Sequence, residues 1–304
     1  MEEGLIAGLV SQTIRISVPY TLAAIGGTFS ERGGVVNIAL EGILLNGAFT
    51  CVLGTYLTGN PWLGLLCAVL GGMLTALLHA VTTITFRGEQ IVSGIAMNLF
   101  AVGITKFLLV VVFGSSSNSS RIPGLPSLHL PLLSGAPVLG TIFASPLIIL
   151  TVVIVLASHY VLFHTPYGLR LRAVGEYPLA SETQGIKVER MRYSGVLVSG
   201  ALAGLGGAWL AFDQHSFTDG MSSGRGFIAL AAMIVGKWKP LGATWACLLF
   251  GFAESVQIRL QGGEVPTQFI QMIPYVLTMI ILAGLIGRAI PPAADGIPYR
   301  KEAE

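Results

Sequence analysis

Charged residues are scarce in this sequence. Only 11% of the 304 residues are Asp, Glu, Lys or Arg, whereas a soluble domain usually carries about 25%. Hydrophobic residues make up 53% of the chain. This composition excludes an ordinary soluble domain and indicates an integral membrane protein. Its spanning segments should be helices, because lipid offers backbone polar groups no other partner.

The residue patterns that usually carry chemistry are also missing. The cysteines Cys51, Cys67 and Cys247 lie in apolar runs, where cysteine serves as a small packing residue rather than a disulfide or metal partner. His79 has no second histidine at ligand spacing. No pair of acidic and His residues at helical spacing suggests a membrane enzyme, and no Gly-x-x-x-x-Gly-Lys-Ser/Thr loop is present to bind nucleotide phosphates. We therefore expect no catalytic residue, no bound cofactor and no metal.

Two further features limit the partners and the processing of the chain. The formal net charge of +2 is too small to suggest binding of nucleic acid. The first residues, MEEGLIAGLVSQ, are acidic and lack the basic region of a signal peptide, so we expect no cleaved leader.

Apolar runs long enough to cross a bilayer fill most of the chain. A spanning helix needs about 20 such residues, and one run, at 226–236, is too short to span alone. Gly and Lys-Pro flank it, so we expect a broken helix that lines a protein-enclosed cavity. The predicted fold is an all-α polytopic membrane protein with about 8 to 9 transmembrane segments, one of them short, in a single domain over 1–304. The predicted segments are 5–29, 34–58, 62–86, 91–114, 138–163, 193–213, 226–236, 241–260 and 267–287.

The distribution of Lys and Arg predicts the orientation in the membrane. Cytoplasmic loops carry an excess of basic residues. If the loop at 165–192 is cytoplasmic, 12 of the 17 Lys and Arg residues lie on that side. The N-terminus and the segment at 114–137 are then outside, and the C-terminus is inside. The 12 residues are Arg32, Arg87, Arg170, Arg172, Lys187, Arg190, Arg192, Lys237, Lys239, Arg288, Arg300 and Lys301.

The loop at 165–192 is unusually polar for this chain and contains a helix signal. Pro178 suits the first turn of a helix, Glu176 suits its positive end, and Gly185 suits its termination. Such a helix, flanked by basic residues, could dock on a soluble partner and transmit movement to the next membrane helix. A solvated connector explains the same pattern equally well.

Polar residues inside apolar runs are candidates for a functional site, because a polar group is costly in a membrane. Asn37 and Glu41 are four residues apart and are expected to share a helix face, and Asn98 lies in the middle of a span. Each could contact a substrate, and each could instead tie two helices together through a hydrogen bond. Glu254 and Arg259 could form an ion pair near the outer side.

Two stretches resemble a known family. The order GLRLRAVGEYPLASETQGI followed by SGALAGLGGAWL resembles the permease subunits of bacterial ABC importers for simple sugars, nucleosides and branched-chain amino acids. In those permeases the matching segment is the coupling helix that sits on the ATPase subunit. Ala180, Ser181 and Gly185 occupy the places of the importer signature Glu-Ala-Ala-x-x-x-Gly, whereas Leu179 departs from its Glu. The resemblance assigns the coupling role to Glu176, Pro178, Ala180, Ser181 and Gly185.

Two further stretches narrow the resemblance to one branch of this family. GGTFSERGGVVNIALEGILLNGAFT, residues 26–50, and the ending PPAADGIPYRKE, residues 291–302, resemble the nucleoside-type permeases. The resemblance implies a type II-like importer permease in the bacterial inner (plasma) membrane. Its implied partners are a separate ABC ATPase that hydrolyses ATP, a second and different permease chain, and a substrate-binding lipoprotein. Permeation of simple sugars or branched-chain amino acids is the alternative, and an ion-coupled secondary transporter is a more distant one.

Overall fold

The computed structural model describes residues 2–128, 144–261 and 289–300, with six single positions between 269 and 280. Ten helices lie in these described parts of the chain, and the one β-bridge among them joins Asn118 to Thr218. The helices are α1 (Glu2–Arg32), α2 (Leu40–Thr58), α3 (Pro61–Ala80), α4 (Gln90–Phe113), α5 (Pro146–His164), α6 (Pro166–Glu176), α7 (Pro178–Thr183), α8 (Val188–Gln214), α9 (Arg225–Val235) and α10 (Pro240–Leu260).

Most predicted spans coincide with helices of this fold. Six helices in the described part of the chain are long and apolar enough to cross a membrane: α2, α3 with its π-turn Val81–Thr85, α4, α5, α8 and α10. α1 has 31 residues, and α9 is a short apolar helix of 11 residues. The predicted segment at 267–287 lies largely outside the described residues, as does the beginning of the segment predicted at 138–163.

The second predicted span starts later than the sequence suggests. α1 ends at Arg32, and Gly34, with φ +82°, turns the chain through a bond from its N–H to the Glu31 carbonyl (2.9 Å). Residues 33–39 are not helical, and α2 begins at Leu40. Asn37 and Glu41 therefore do not share a helix face, and that expectation is wrong. Hydrophobicity alone cannot reveal the break, because Asn37 is the one polar residue in it.

Small residues let α8 approach α2 and α3 closely. A Cβ atom added at Gly47 of α2 would lie 2.6 Å from the Gly204 Cα of α8, and one added at Gly72 of α3 would lie 2.3 Å from the Gly200 carbonyl oxygen. Contacts this short leave no room for a side chain. Since lipid gives helices no hydrophobic reason to associate, close backbone packing is what holds such a bundle together.

We expect Gly204→Ala to destabilise the bundle, because the added methyl group would lie 2.3 Å from the Ala68 carbonyl oxygen. Overpacking of this kind costs about 1–3 kcal/mol, measured as a lower thermal midpoint in detergent. The matched control is Gly103→Ala on α4, where no atom lies within 4 Å of the new Cβ. Equal stability of the two variants would contradict this packing.

Accessibility labelling tests the orientation, using one exposed position at each end of the bundle. Ser117 follows α4, and Gln184 follows α7. In a background without native cysteines, we expect an impermeant thiol reagent to label Ser117→Cys in intact cells. It should label Gln184→Cys only after permeabilisation, because basic loops stay inside. The reverse pattern would invert the topology.

Candidate functional site

Two short helices, α6 and α7, form the loop between α5 and α8. Pro166 occupies the first turn of α6, and the Thr165 hydroxyl accepts a bond from the Gly168 N–H (3.3 Å). Pro178 occupies the first turn of α7, and Gly185 adopts φ +78° just beyond it. The structure thus contains the short helix predicted here, stopped where a glycine can take the left-handed conformation. α6, which precedes it, was not predicted.

The residues assigned to coupling have different environments. Ala180 is exposed, whereas Ser181 is buried and its hydroxyl donates to the Tyr177 carbonyl (3.0 Å). Ala180 therefore lies on the side of α7 that is open to a partner. Ser181 instead faces the protein and helps to fix the helix.

Glu176 lies just ahead of α7, as expected, but its side chain makes no cap there. It is the last residue of α6, and its carboxylate accepts a bond from the Ala293 N–H (3.2 Å). The same carboxylate lies 4.0 Å from the Arg32 guanidinium at the end of α1. Both partners of this carboxylate, Ala293 and Arg32, lie more than 100 residues away in the sequence, so local spacing cannot reveal them.

A groove of about 610 Å³ lies beside α7, between α6 and the start of α8. Its lining includes Leu169, Arg170, Lys187 and Arg190, so it combines an apolar surface with positive charge. Three exposed basic side chains in one groove suit the acidic surface of a soluble partner more than they suit lipid tails. The sequence showed the charges but not that they share a groove.

Asn98 and Asn37 both hydrogen bond within the protein, at the break before α2. The Asn98 side chain of α4 donates to the Ile38 carbonyl (3.0 Å) and accepts from the Gly42 N–H (2.8 Å). The Asn37 amide donates to the Ser199 hydroxyl of α8 (2.8 Å). The carbonyl oxygen of the buried Asn37 side chain has no partner among the described residues. Both asparagines thus connect the break to neighbouring helices.

Glu41 holds the start of the half-length helix α9. One carboxylate oxygen accepts the Gly224 N–H and the other accepts the Gly226 N–H, each at 2.7 Å. The N-terminus of a helix carries partial positive charge and unpaired N–H groups, so a carboxylate satisfies both requirements. These contacts match the tie between helices that was one of the two roles considered for Glu41.

A polar cavity of about 450 Å³ lies between α1 and the end of α8. Its lining includes Gln12, Arg15, Asp213, Gln214 and Arg225. Arg15 and Asp213 form an ion pair at 2.5 Å, with much of both side chains exposed. Sequence reasoning did not single out this pair, although a charged residue within a long apolar helix was a signal for it.

Glu254 has a different partner from the one the sequence suggested. Its carboxylate lies 3.5 Å from the Arg225 guanidinium and accepts a bond from the Tyr20 hydroxyl. Arg259 was the expected partner, five residues along the same helix. The contacts with Tyr20 and Arg225 connect α10 to α1 and to the first residue of α9.

His79 is a buried packing residue. Its two ring nitrogens lie 3.0 Å from the Ser93 hydroxyl and 3.0 Å from the Val36 carbonyl. Within the described parts of the chain, no group of three His, Cys, Asp or Glu side chains is placed to hold a metal ion.

We expect Glu41→Ala to destabilise the protein more than Glu41→Gln. Glutamine keeps one acceptor oxygen for the two N–H groups of α9, whereas alanine leaves both without a partner, at about 1–3 kcal/mol for each group. The measurement is the thermal midpoint in detergent, together with substrate uptake by each variant. Loss of uptake in Glu41→Gln with unchanged stability would contradict a purely structural role and would place Glu41 in the substrate path.

The chain matches the family model described as branched-chain amino acid transport system / permease component over residues 9–282. The guanosine ABC transporter permease protein NupQ of Bacillus subtilis is 44% identical over 309 residues, covering 96% of each chain. The nucleoside ABC transporter permease protein NupC of Lactococcus lactis is 44% identical over 311 residues, also covering 96% of each. A second Bacillus subtilis relative, the guanosine ABC transporter permease protein NupP, is 26% identical over 282 residues, 90% of this chain and 80% of its own.

A solved structure has the same fold. It is an inward-facing ABC transporter of the metal-chelate type that covers 91% of this chain and 85% of its own, with 14% identity and a TM-score of 0.51. The resemblance to ABC importer permeases found in the sequence is confirmed by the family match and the identities. This chain belongs to the branched-chain amino acid transport system / permease component family: it is a multi-pass membrane permease component of an ABC transporter, in which ATP hydrolysis is the task of a separate subunit.

Proposed function

We propose that this chain is the permease subunit of an ATP-driven importer for nucleosides. The observation that carries the proposal is 44% identity, over 96% of the chain, with permeases named for guanosine and for nucleosides in two bacteria. Such coverage leaves only a small part of the chain unmatched. Simple sugars and branched-chain amino acids are the alternative substrates.

The transporter contains a second permease chain that differs from this one. Bacillus subtilis has two guanosine permease proteins among the relatives, and they differ widely in their identity to this chain, at 44% and 26%. A heterodimer of one chain of each kind accounts for such a pair. An ABC ATPase and a substrate-binding lipoprotein complete the assembly.

The architecture we propose has eight spans and one half-helix. α1, α2, α3, α4, α5, α8 and α10 cross the bacterial plasma membrane, and an eighth span lies at 267–287. The segment that contains the half-helix α9 returns the chain from the outer side to the cytoplasmic start of α10. The single domain covers 1–304, the N-terminus is outside, and the loop at 165–192 and the C-terminus are cytoplasmic. Half-helices of this kind occur in transporters where their ends face a protein-lined cavity.

Asn37, Glu41 and Asn98 act on the substrate path by fixing the elements that form it. Together they join α2, α4, α8 and α9 at the break in the chain. A path between two permeases opens and closes when helices move as units. Side chains that lock those helices to one another therefore affect transport without contacting the nucleoside.

α7 is the coupling helix in this proposal. ATP is hydrolysed outside the membrane, so movement must enter the permease through a surface that contacts the ATPase. Ala180 is exposed on the surface of α7, and α7 lies beside the basic groove. A partner therefore meets both a small residue and complementary charge.

Reconstitution tests the proposed function. The permease pair, the ATPase and the binding lipoprotein are placed in proteoliposomes, and uptake of radiolabelled guanosine is followed with and without ATP inside. We expect uptake that requires both ATP and the lipoprotein, and that is reduced by excess nucleoside but not by ribose or leucine. Uptake driven by an ion gradient without ATP would contradict an ABC importer, and competition by ribose or leucine alone would change the substrate class.

We expect Ala180→Glu to remove ATPase association and uptake while leaving the permease inserted and stable. A buried carboxylate without a partner costs far more than one contact with the ATPase contributes. Co-purification of the ATPase and thermal stability in detergent are the measurements. The matched control is Ser117→Glu, which adds the same charge at the opposite end of the bundle. It should change neither the co-purification of the ATPase nor the thermal stability.

If the Ala180→Glu variant still co-purifies with the ATPase at wild-type yield, α7 is not part of the interface with the ATPase. Gly185→Asp should act in the same direction. It is a weaker test because φ is +78° at this position, so any side chain strains the backbone as well.

A further inference from the structure

The C-terminal residues 291–299 fold back onto the coupling loop. The Ala294 N–H donates to the Gly175 carbonyl at the end of α6 (2.8 Å), one residue before Glu176, whose carboxylate accepts the Ala293 N–H. Further along, the Tyr299 hydroxyl donates to the Glu182 carboxylate on α7. We call residues 291–299 the C-terminal clamp. It contacts both short helices of the loop.

The clamp also encloses Arg192, near the start of α8. This arginine is only 1% exposed, and its guanidinium donates to the Ile297 carbonyl (3.0 Å) and lies 6.0 Å from the centre of the Tyr299 ring. A buried cation is costly unless it is hydrogen bonded and compensated. The clamp supplies the carbonyl, the ring and, in Asp295, the nearby acidic group. Arg192 thereby binds the clamp to α8.

The other side of the clamp reaches the break between α1 and α2. The Asp295 carboxyl lies beside that of Glu31, and its Oδ1 atom has no hydrogen-bond partner among the described residues. Burial, and then the neighbouring carboxylate, raise the pKa of Asp295, while Arg192 lowers it. Glu31 in turn accepts a bond from the Trp238 indole N–H (2.6 Å), just before α10. The clamp therefore joins the coupling loop to the cytoplasmic ends of α1, α8 and α10.

α7 needs such support because it is very short. It has six residues, and no side chain caps its first turn. Isolated helices shorter than about 12 residues are marginal even with favourable sequences. A force applied to an unsupported helix of this length would bend or melt it, and little movement would reach the membrane helices.

We propose that the C-terminal clamp holds α7 in a fixed position relative to the α1–α2 break, so that movement of the ATPase passes to the membrane helices through Tyr299 and Asp295 as positioning residues. The inference rests on the proposed coupling role of α7. It adds a second connection between α7 and the bundle, besides the chain that continues into α8.

The test is Tyr299→Phe, which removes the bond to Glu182 and keeps the ring over Arg192. In proteoliposomes we expect unchanged permease yield, thermal stability and ATPase co-purification, but more ATP hydrolysed for each guanosine imported. Changes along a coupling network alter coupling roughly 2- to 30-fold, which sets the expected rise in this ratio. Asp295→Asn, at the other side of the clamp, should raise the ratio as well.

The matched control is Tyr177→Phe, which removes a hydroxyl from a tyrosine of the same loop that is 65% exposed. It should behave as wild type. A purely structural role for Tyr299 predicts lower stability and lower uptake at a constant ratio of ATP to guanosine. That result, or a wild-type ratio in Tyr299→Phe, would overturn the proposal.

Ala180→Glu separates this inference from the proposed function. If Ala180→Glu loses ATPase association while Tyr299→Phe keeps the wild-type ratio of ATP to guanosine, the role of the clamp is rejected and the coupling role of α7 stands. ATPase association in Ala180→Glu at the wild-type level would reject the coupling role of α7, and the clamp inference with it.

Discussion

Every backbone polar group inside a membrane needs a partner, and this structure depends on how that requirement is met at one non-helical segment. Residues 33–39 separate α1 from α2. Because these residues are not helical, their backbone N–H and C=O groups cannot all be satisfied by the hydrogen bonds of a helix. Side chains from three helices satisfy such groups instead, and the one from α3 is His79, whose ring contacts the Val36 carbonyl (3.0 Å). The others come from α1 and α4. Gln90 accepts the Val36 N–H (2.7 Å), Ser30 donates to the Val35 carbonyl (2.7 Å), and Asn98 donates to the Ile38 carbonyl.

This requirement explains why polar residues are concentrated where they are. Four polar side chains bond to backbone atoms at a helix end or a break: His79 of α3, Gln90 and Asn98 of α4, and Glu41 of α2. The half-length helix α9 depends on the same principle, since its first N–H groups would otherwise face a poorly hydrated interior. These four polar side chains therefore mark places where the fold is irregular, and irregular segments are also where helices can shift relative to one another.

The sequence predicted the helices well because apolar run length is visible residue by residue. α10, for example, spans Pro240–Leu260, where 241–260 was expected, and α9 spans Arg225–Val235, where 226–236 was expected. The start of α2 was predicted wrongly, because the prediction followed apolar run length, and the break contains a single polar residue, Asn37, among glycines and apolar residues.

Partners distant in sequence could not be predicted. Glu254 pairs with an arginine of another helix rather than with Arg259 on its own. Arg192 was expected in a basic cytoplasmic loop, and it is almost fully buried under the C-terminal segment. No local pattern distinguishes a basic residue that faces water from one that a distant segment covers.

The break at residues 33–39 also connects the loop at 165–192, through the C-terminal segment, to the residues considered for the substrate path. Glu31, just before the break, lies beside Asp295 and accepts a bond from the Trp238 indole N–H, and its carboxylate lies 3.5 Å from the Asn37 N–H. The Asn37 side chain then reaches Ser199, in the middle of α8. Each contact joins a different element, so Glu31 and the Asn37 side chain connect the end of α1 to α8 and to the residues before α10. The contacts that satisfy the polar groups of a buried non-helical segment thus also hold the ends of these helices together.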